Sequence, residues 1–395
     1  MIIRTHYSLL ANRLQESERP LIQVLYGPRQ VGKTTMALQL KERLKIPCHY
    51  VSADNVHPDG QLWIEQQWAN LRVILKSSGA PAALLIIDEV QKVANWSEQV
   101  KKEWDTDTRD KLNIKVVLSG SSRLLLQQGL TESLAGRYER IYLSHWSYTE
   151  MHEAFGVTPD EYVWYGGYPG SAMLYKDEDR WKDYIKNSIV EPSISKDVLM
   201  LTRIDKPALL KRLFEMGCIY SSQILSFNKI LGQLLDAGNT VTLSHYLELL
   251  NQAGLLAGIE KYSPDMIRQR ASSPKFQVHN MALLTAMQPY MMREVANQTD
   301  KWGRWVESAV GSHLLNHALQ EGYSLYYWRH RNDEIDFVMD NKKSVAAIEV
   351  KGGYTTRARG MAAFQKKYRP DKTYLIGRNG MPWQEFLKIN PAELF

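Results

Sequence analysis

Unbroken apolar runs punctuate the first 150 positions of this chain. Leu21-Ile22-Gln23-Val24-Leu25-Tyr26, Ala82-Ala83-Leu84-Leu85-Ile86-Ile87 and Ile114-Lys115-Val116-Val117-Leu118 each predict a strand. Runs of this kind suit strands in the middle of a sheet that is covered on both faces. Helix-like segments alternate with them, among them the stretch from Thr35 to Leu44. Strand–helix alternation predicts a parallel α/β domain over residues 1–150.

From about Met151 to Met292 the strand signals thin out and helical periodicity takes over. Gly166-Gly167-Tyr168-Pro169-Gly170 reads as a loop and a domain boundary. Ala208–Gly217, 227–235 and Ser244–Gln252 predict three short helices, and Gly254–Tyr262 a small hairpin. Three helices and a hairpin fit a winged-helix unit, with Leu243–Leu250 as recognition helix. The same helices would also serve as plain packing, and the weak charge of that segment favours packing slightly. Residues 296–395 return to a mixed α/β pattern. Helices are predicted over Trp305–Gln320 and 358–368, and strands over Tyr323–Trp328, Ile335–Met339, Val345–Val350 and Thr373–Ile376. The fold class expected is therefore α/β throughout: a parallel-sheet domain (1–150), a helical middle region (151–295) and a mixed α/β domain (296–395).

Composition changes this picture little. The 395 residues are 44% hydrophobic and 23% charged, as in a globular protein, and hold no apolar run long enough for a membrane span. The first residues lack the pattern of a secretion signal, and Cys48 and Cys218 form no metal or redox motif. A reducing cytoplasm is the expected setting. The net charge is +6, and residues 301–395 hold 15 Lys and Arg against 10 Asp and Glu. A surplus of that size suits a polyanion without demanding one.

The chemistry begins at Gly27-Pro28-Arg29-Gln30-Val31-Gly32-Lys33-Thr34, which fills every fixed position of the G-x-x-x-x-G-K-[ST] phosphate loop. A strand precedes it and a helix beginning at Thr35 follows. Its glycines let backbone amides wrap a phosphate chain, and the helix N-terminus adds partial positive charge. Lys33 is expected to reach the β- and γ-phosphates of ATP and the Thr34 hydroxyl to hold Mg²⁺. Asp88-Glu89 ends the second apolar strand. Parallel strands deliver their C-terminal ends to one edge, so Asp88 would join Mg²⁺ there and Glu89 would polarise the attacking water. Ser119 and Ser121 follow the third strand. Sensing the γ-phosphate and capping a helix are equally open roles for them.

Taken together, Tyr26–Thr35, Leu85–Gln91 with Trp96, 118–122, Leu134–Arg137, Leu143–Glu150, Gly166–Pro169 and Gly303–Glu307 through Lys351 give the chain a specific resemblance. It resembles predicted ATPases of the AAA+ superfamily that pair an N-terminal ATPase with a C-terminal domain of unknown function. The resemblance implies that Arg137 lies near the nucleotide, and it suggests a homo-oligomer.

A second constellation is Glu307 near a helix start, Asp336 in a strand, and Glu349-Val350-Lys351 in the next. Alternation puts Glu349 and Lys351 on one strand face. Helix acid, strand acid and E-x-K in this order resemble the core of the PD-(D/E)xK nuclease superfamily. That resemblance implies Asp336 and Glu349 as metal ligands, Glu307 as a supporting ligand, and Lys351 as catalytic lysine, with Mg²⁺ or Mn²⁺ as the ion. Arg329, His330, Arg331, Lys366, Lys367 and Arg369 are candidate phosphate contacts, and Tyr326-Tyr327-Trp328 a candidate stacking platform, though a strand core is the plainer use. Nucleic acid, DNA ahead of RNA, is the expected partner, with ATP turnover coupled to binding or cleavage. The alternative is a nucleotide-driven switch that binds DNA or a protein and cuts nothing.

Overall fold

The computed structural model describes residues 2–16, 21–56, 62–120, 130, 133–199, 204–233, 239–265, 269, 272–351 and 359–395. The chain divides into two compact units, Met1–Leu143 and Ser144–Phe395.

In the first unit, strands β1 (Ile22–Tyr26), β2 (Cys48–Ser52), β3 (Ala83–Asp88), β4 (Ile114–Gly120) and β5 (Tyr138–Tyr142) form a sheet in the order β2-β3-β4-β1-β5. Every neighbouring pair is parallel. Helices α1 (Thr5–Gln15), α2 (Lys33–Arg43), α3 (Trp63–Ser78) and α4 (Trp96–Arg109) accompany it. The unbroken apolar runs are explained by burial on both faces: Ala83, Leu85 and Ile87 of β3 join one core with Trp68 and Trp96, while Leu84 and Ile86 join another with Met36 and Leu40. Sequence periodicity missed β2 and β5. Both are edge strands, short, partly polar and largely half-buried, so they lack the apolar run that marks a central strand.

The second unit holds β6 (Leu256–Lys261), β7 (Lys275–Val278), β8 (Ser324–His330), β9 (Asp333–Asp340), β10 (Val345–Lys351) and β11 (Lys372–Gly377). They form one sheet in the order β11-β10-β9-β8-β6-β7. Three helices, Pro207–Ile219, Phe227–Leu231 and Thr240–Gln252, precede an antiparallel β6–β7 pair, in the expected order. The pair differs from expectation in its extent. The segment read as a whole hairpin supplies only β6, whose partner begins at Lys275. β6 then pairs in parallel with β8, Glu260 opposite Tyr326. The middle region therefore shares a sheet with the C-terminal strands, within the compact unit Ser144–Phe395. The Gly166–Gly170 loop packs inside this unit. Its Gly167 amide donates to Asn280 Oδ1 at 3.0 Å inside the second unit, and a Cβ on Gly166 would lie 2.0 Å from that oxygen.

Helix Thr299–Glu321, β8, β9, β10, helix Arg359–Tyr368 and β11 follow one another as the sequence pattern predicts. Among the described residues no helix is long and apolar enough to cross a membrane. Burial pushes the Cys48 thiol up to about 11 and the Cys218 thiol upward as well, which leaves both poor nucleophiles.

Candidate phosphate site and carboxylate–lysine centre

The loop that leaves β1 turns through left-handed conformations at Gln30 (φ 59°) and Gly32 (φ 95°). Gly27 is fixed by crowding: a Cβ there would stand 2.1 Å from the Leu143 carbonyl oxygen. Lys33, with only 6% of its surface exposed, begins the 11-residue helix α2 and curls its ammonium back into the loop. It donates to the Gly27 and Pro28 carbonyls at 2.9 and 2.7 Å. A phosphate oxygen can replace such carbonyls as acceptor, since an ammonium carries three donors.

β4, the neighbour of β1 in the sheet, and β3 beyond it complete the site. Thr34 Oγ1 donates to Asp88 Oδ2 at 2.6 Å. The Ser119 hydroxyl donates to Asp88 Oδ1, and the Glu89 amide reaches the same oxygen at 3.1 Å. Tyr50 OH donates to Asp88 Oδ2 at 3.1 Å. Asp88 is thus 2% exposed yet held by four donors, which satisfies the cost of burying it. Burial of the Tyr50 phenol, with the charges of Asp88 and Asp54 beside it, pushes it well above its ordinary value. Glu89 takes a left-handed conformation (φ 53°), and Gln91 Nε2 donates to its carboxylate at 2.6 Å. A hydroxyl, a buried carboxylate and an ammonium on one sheet edge are the donor set that nucleotide-bound Mg²⁺ and its phosphates require. Pro28, Arg29, Val31 and Thr35 belong to the same loop and helix start. Tyr50 was not legible beforehand, because its strand was not. Ser121 lies outside the described residues.

Arg137 is a correction. Its carbonyl accepts from the Ile22 amide at 2.9 Å, which places it beside the first residue of β1. The phosphate loop leaves the other end of that strand, roughly 15 Å away at the usual strand rise. Arg137 instead donates to both carboxylate oxygens of Asp105, at 2.9 and 3.2 Å, and lies over the Trp104 ring. The structure does not bring it to the phosphate loop of its own chain.

In the second unit, Glu307, Asp336, Glu349 and Lys351 do converge, and Glu307 and Asp336 meet a residue that sequence reading passed over. Lys275, at the start of β7, has no exposed surface. Its ammonium lies 2.8 Å from Glu307 Oε1 and 3.6 Å from Asp336 Oδ1, donates to the Asp336 carbonyl at 3.2 Å, and sits 4.6 Å from the Phe337 ring centre. Helix Thr299–Glu321 can come this close because Gly311, one turn from Glu307, has no side chain. A Cβ there would meet Gln277 Oε1 at 2.1 Å and the Phe337 ring at 2.7 Å. Burial opposes the Lys275 charge, but the carboxylates of Glu307 and Asp336 outweigh it and hold the ammonium above its ordinary value. Burial pushes Glu307 up to about 7 even with Lys275 beside it.

The remaining contacts bear on the metal expectation. Asp336 Oδ2 accepts from the Val350 amide at 2.7 Å. Lys351 Nζ pairs with Glu349 Oε1 at 2.7 Å. Burial raises the Glu349 carboxyl, while the Glu349 contact, over the cost of burial, raises the Lys351 ammonium. Among the described residues no group of three or more His, Cys, Asp or Glu is placed to hold a metal ion. Glu307 faces an ammonium where the nuclease resemblance implied a metal, so as arranged these residues do not fit the three-carboxylate metal site expected of them. Glu349 Oε2 is the exception: it is buried without a hydrogen-bond partner among the described residues.

Arg329, His330, Arg331, Lys366, Lys367 and Arg369 are all exposed. Trp328 and Tyr327 are not a stacking platform. Each is 2% exposed, and Trp328 packs on Phe364 and Tyr368. In helix Thr240–Gln252 the residues Leu243, Tyr246, Leu247, Leu249 and Leu250 are buried, as packing requires.

Three family models match the chain. Residues 19–152 match an AAA domain, residues 157–294 a domain of unknown function (DUF8612), and residues 302–391 another domain of unknown function (DUF4143). The N-terminal part is therefore an AAA-family ATPase domain with a parallel-sheet P-loop fold. Relatives span nearly the whole chain. An uncharacterized protein of Haemophilus influenzae is 23% identical over 89% of this chain and 86% of its own length. The uncharacterized protein MJ1544 of Methanocaldococcus jannaschii is 21% identical over 87% and 78%. Among solved structures, Thermotoga maritima RuvB T158V matches with 20% identity over 66% of this chain and 90% of its own, at a TM-score of 0.35. The Aeropyrum pernix ORC1 protein in complex with DNA matches with 15% identity over 71% and 90%, at a TM-score of 0.29.

Proposed function

We propose that the N-terminal domain binds ATP with Mg²⁺ and hydrolyses it, and that turnover governs how the C-terminal unit engages nucleic acid, DNA ahead of RNA. The observation that carries the first part is the Thr34–Asp88–Ser119 cluster beside the Lys33 ammonium. Bound Mg²⁺ would supply charge neutralisation at the phosphates. Lys33 exchanges its loop carbonyls for phosphate oxygens. Thr34 and Asp88 would hold the ion through their side-chain oxygens. Glu89, held by Gln91, accepts the proton of the attacking water. Ser119 keeps Asp88 oriented.

For the C-terminal unit, the basic surplus of residues 301–395 and the five exposed cations Arg329, Arg331, Lys366, Lys367 and Arg369 favour a polyanionic partner. Lys275 between Glu307 and Asp336 favours the reading in which the unit binds without cutting, because an ammonium already takes up the charge that a metal would neutralise. Metal-dependent phosphodiester cleavage is the second reading. It is favoured by the unpartnered Glu349 Oε2 next to Lys351. A homo-oligomer is part of the proposal, on the AAA+ resemblance of the sequence.

The test is ATP hydrolysis and cleavage of labelled single-stranded, duplex and branched DNA and RNA, with Mg²⁺ or Mn²⁺, by the wild type, Lys33→Ala and Lys351→Ala. Lys33→Ala is expected to abolish ATP turnover; normal hydrolysis by it removes the site assignment. Cleavage that disappears in Lys351→Ala establishes the nuclease reading. ATP turnover without any cleavage removes the nuclease reading and leaves the binding-only one.

A further inference from the structure

A cleft of about 300 Å³ opens beside the carboxylate–lysine centre. Trp302, Gly303 and Val306 of helix Thr299–Glu321 form one wall, Trp383 another, and Lys351 and Arg378 reach it from the ends of β10 and β11. Both tryptophans are half-buried, so their indoles are neither core residues nor fully solvated. Gly303 leaves the helix wall bare between Trp302 and Val306. At the strand ends, Gly377 (φ 128°) runs so close to β10 that a Cβ would stand 2.1 Å from the Lys351 carbonyl oxygen. That approach sets Arg378 next to Lys351.

We propose that this cleft binds one unpaired nucleotide of a nucleic-acid strand, its base against the indoles and its phosphate at Lys351 and Arg378. The proposal rests on the nucleic-acid reading above and adds to it a preference for single-stranded segments or frayed ends. Three features select this occupant. The volume is at the lower end of small-molecule pockets and suits one nucleoside, not a base pair. Aromatic walls stack any base, and cations at the rim complement a phosphate, whereas an apolar side chain of a protein would gain nothing from two cations. The Lys351 ammonium has three donors, so its bond to Glu349 leaves it able to meet a phosphate oxygen as well. A base inside a duplex is stacked and paired, and reaching such a pocket would first cost its unstacking.

The experiment uses the full chain and three labelled probes: a single-stranded oligonucleotide, a blunt duplex of the same sequence, and that duplex with an unpaired tail. Binding is followed by anisotropy and by quenching of indole fluorescence. The wild type is expected to prefer the single strand and the tailed duplex over the blunt one. Trp383→Ala is expected to weaken those two by about 5- to 150-fold, the range for losing one stacked base. Trp383→Phe keeps most of the affinity because it keeps a ring. Two outcomes overturn the cleft while leaving the nucleic-acid reading intact: Trp302→Ala and Trp383→Ala that bind all probes like the wild type, or a loss equal for blunt and tailed duplex in both the Ala and Phe variants. Binding of none of the probes by the wild type overturns that reading and the cleft together.

Discussion

Replacing Lys275 by Met removes the cation that pairs with both Glu307 and Asp336, and it keeps the side chain's length and apolar stem. At an effective dielectric constant of about 20, unit charges 2.8 and 3.6 Å apart attract by about 6 and about 5 kcal/mol. Taking a lysine with no exposed surface out of water consumes several kcal/mol of that gain. The variant, however, leaves two carboxylates facing each other with side chains only 23% and 12% exposed. Breaking a buried pair in this way costs about 3–5 kcal/mol.

The loss should depend on pH with a definite sign. Glu307 titrates at about 7 in the fold, above its value of about 4.3 in an unfolded chain. Its contribution to stability is thus complete below the unfolded value and is lost as pH rises through about 7. In Lys275→Met the cost is therefore greatest above neutrality and shrinks toward about pH 5, where Glu307 carries a proton and can donate to Asp336. Urea unfolding, read by hydrogen-exchange mass spectrometry of peptides over Lys275–Val278 and Thr299–Glu321, measures it. Adding Glu307→Gln should recover part of the loss at alkaline pH. A variant within about 1 kcal/mol of the wild type above neutrality, or one equally destabilised at both ends of the range, would refute the idea of an internal ion pair.

Other consequences concern the first unit. Glu89→Gln should still bind ATP while its turnover falls about 10²- to 10⁴-fold, measured by single-turnover hydrolysis; a variant that cannot bind nucleotide would assign Glu89 a different role. Gly27→Ala should cost at least about 2 kcal/mol and abolish nucleotide binding, because φ is +155° and the new Cβ would stand 2.1 Å from the Leu143 carbonyl oxygen. Calorimetric titration with an ATP analogue checks it, and wild-type affinity would show that the loop can yield at this point.

Much of the first unit was written in local pattern. β1, β3 and β4 announce themselves because a strand covered on both faces must be apolar at every position, and the phosphate loop needs residues adjacent in sequence. For the same reason the edge strands β2 and β5 were silent, and Tyr50, which donates to Asp88 from β2, was silent with them. The carboxylate–lysine set was partly legible, since Glu349 and Lys351 share a strand face and Asp336 lies on the neighbouring strand.

Lys275 carried no signal at all. A lysine at the start of Lys275-Phe276-Gln277-Val278 looks like the solvent side of an alternating strand. Only the packing of helix Thr299–Glu321 over β7, permitted at Gly311, encloses its ammonium between Glu307 and Asp336. Arg137 shows the converse: a suggestive position in the sequence that strand direction carries to the wrong edge of its sheet. The sequence by itself determined what depends on neighbours along the chain, namely strand and helix periods and the phosphate loop. Tertiary structure alone decided which charges meet, because burial and Coulomb attraction act between residues that only folding brings within a few ångströms.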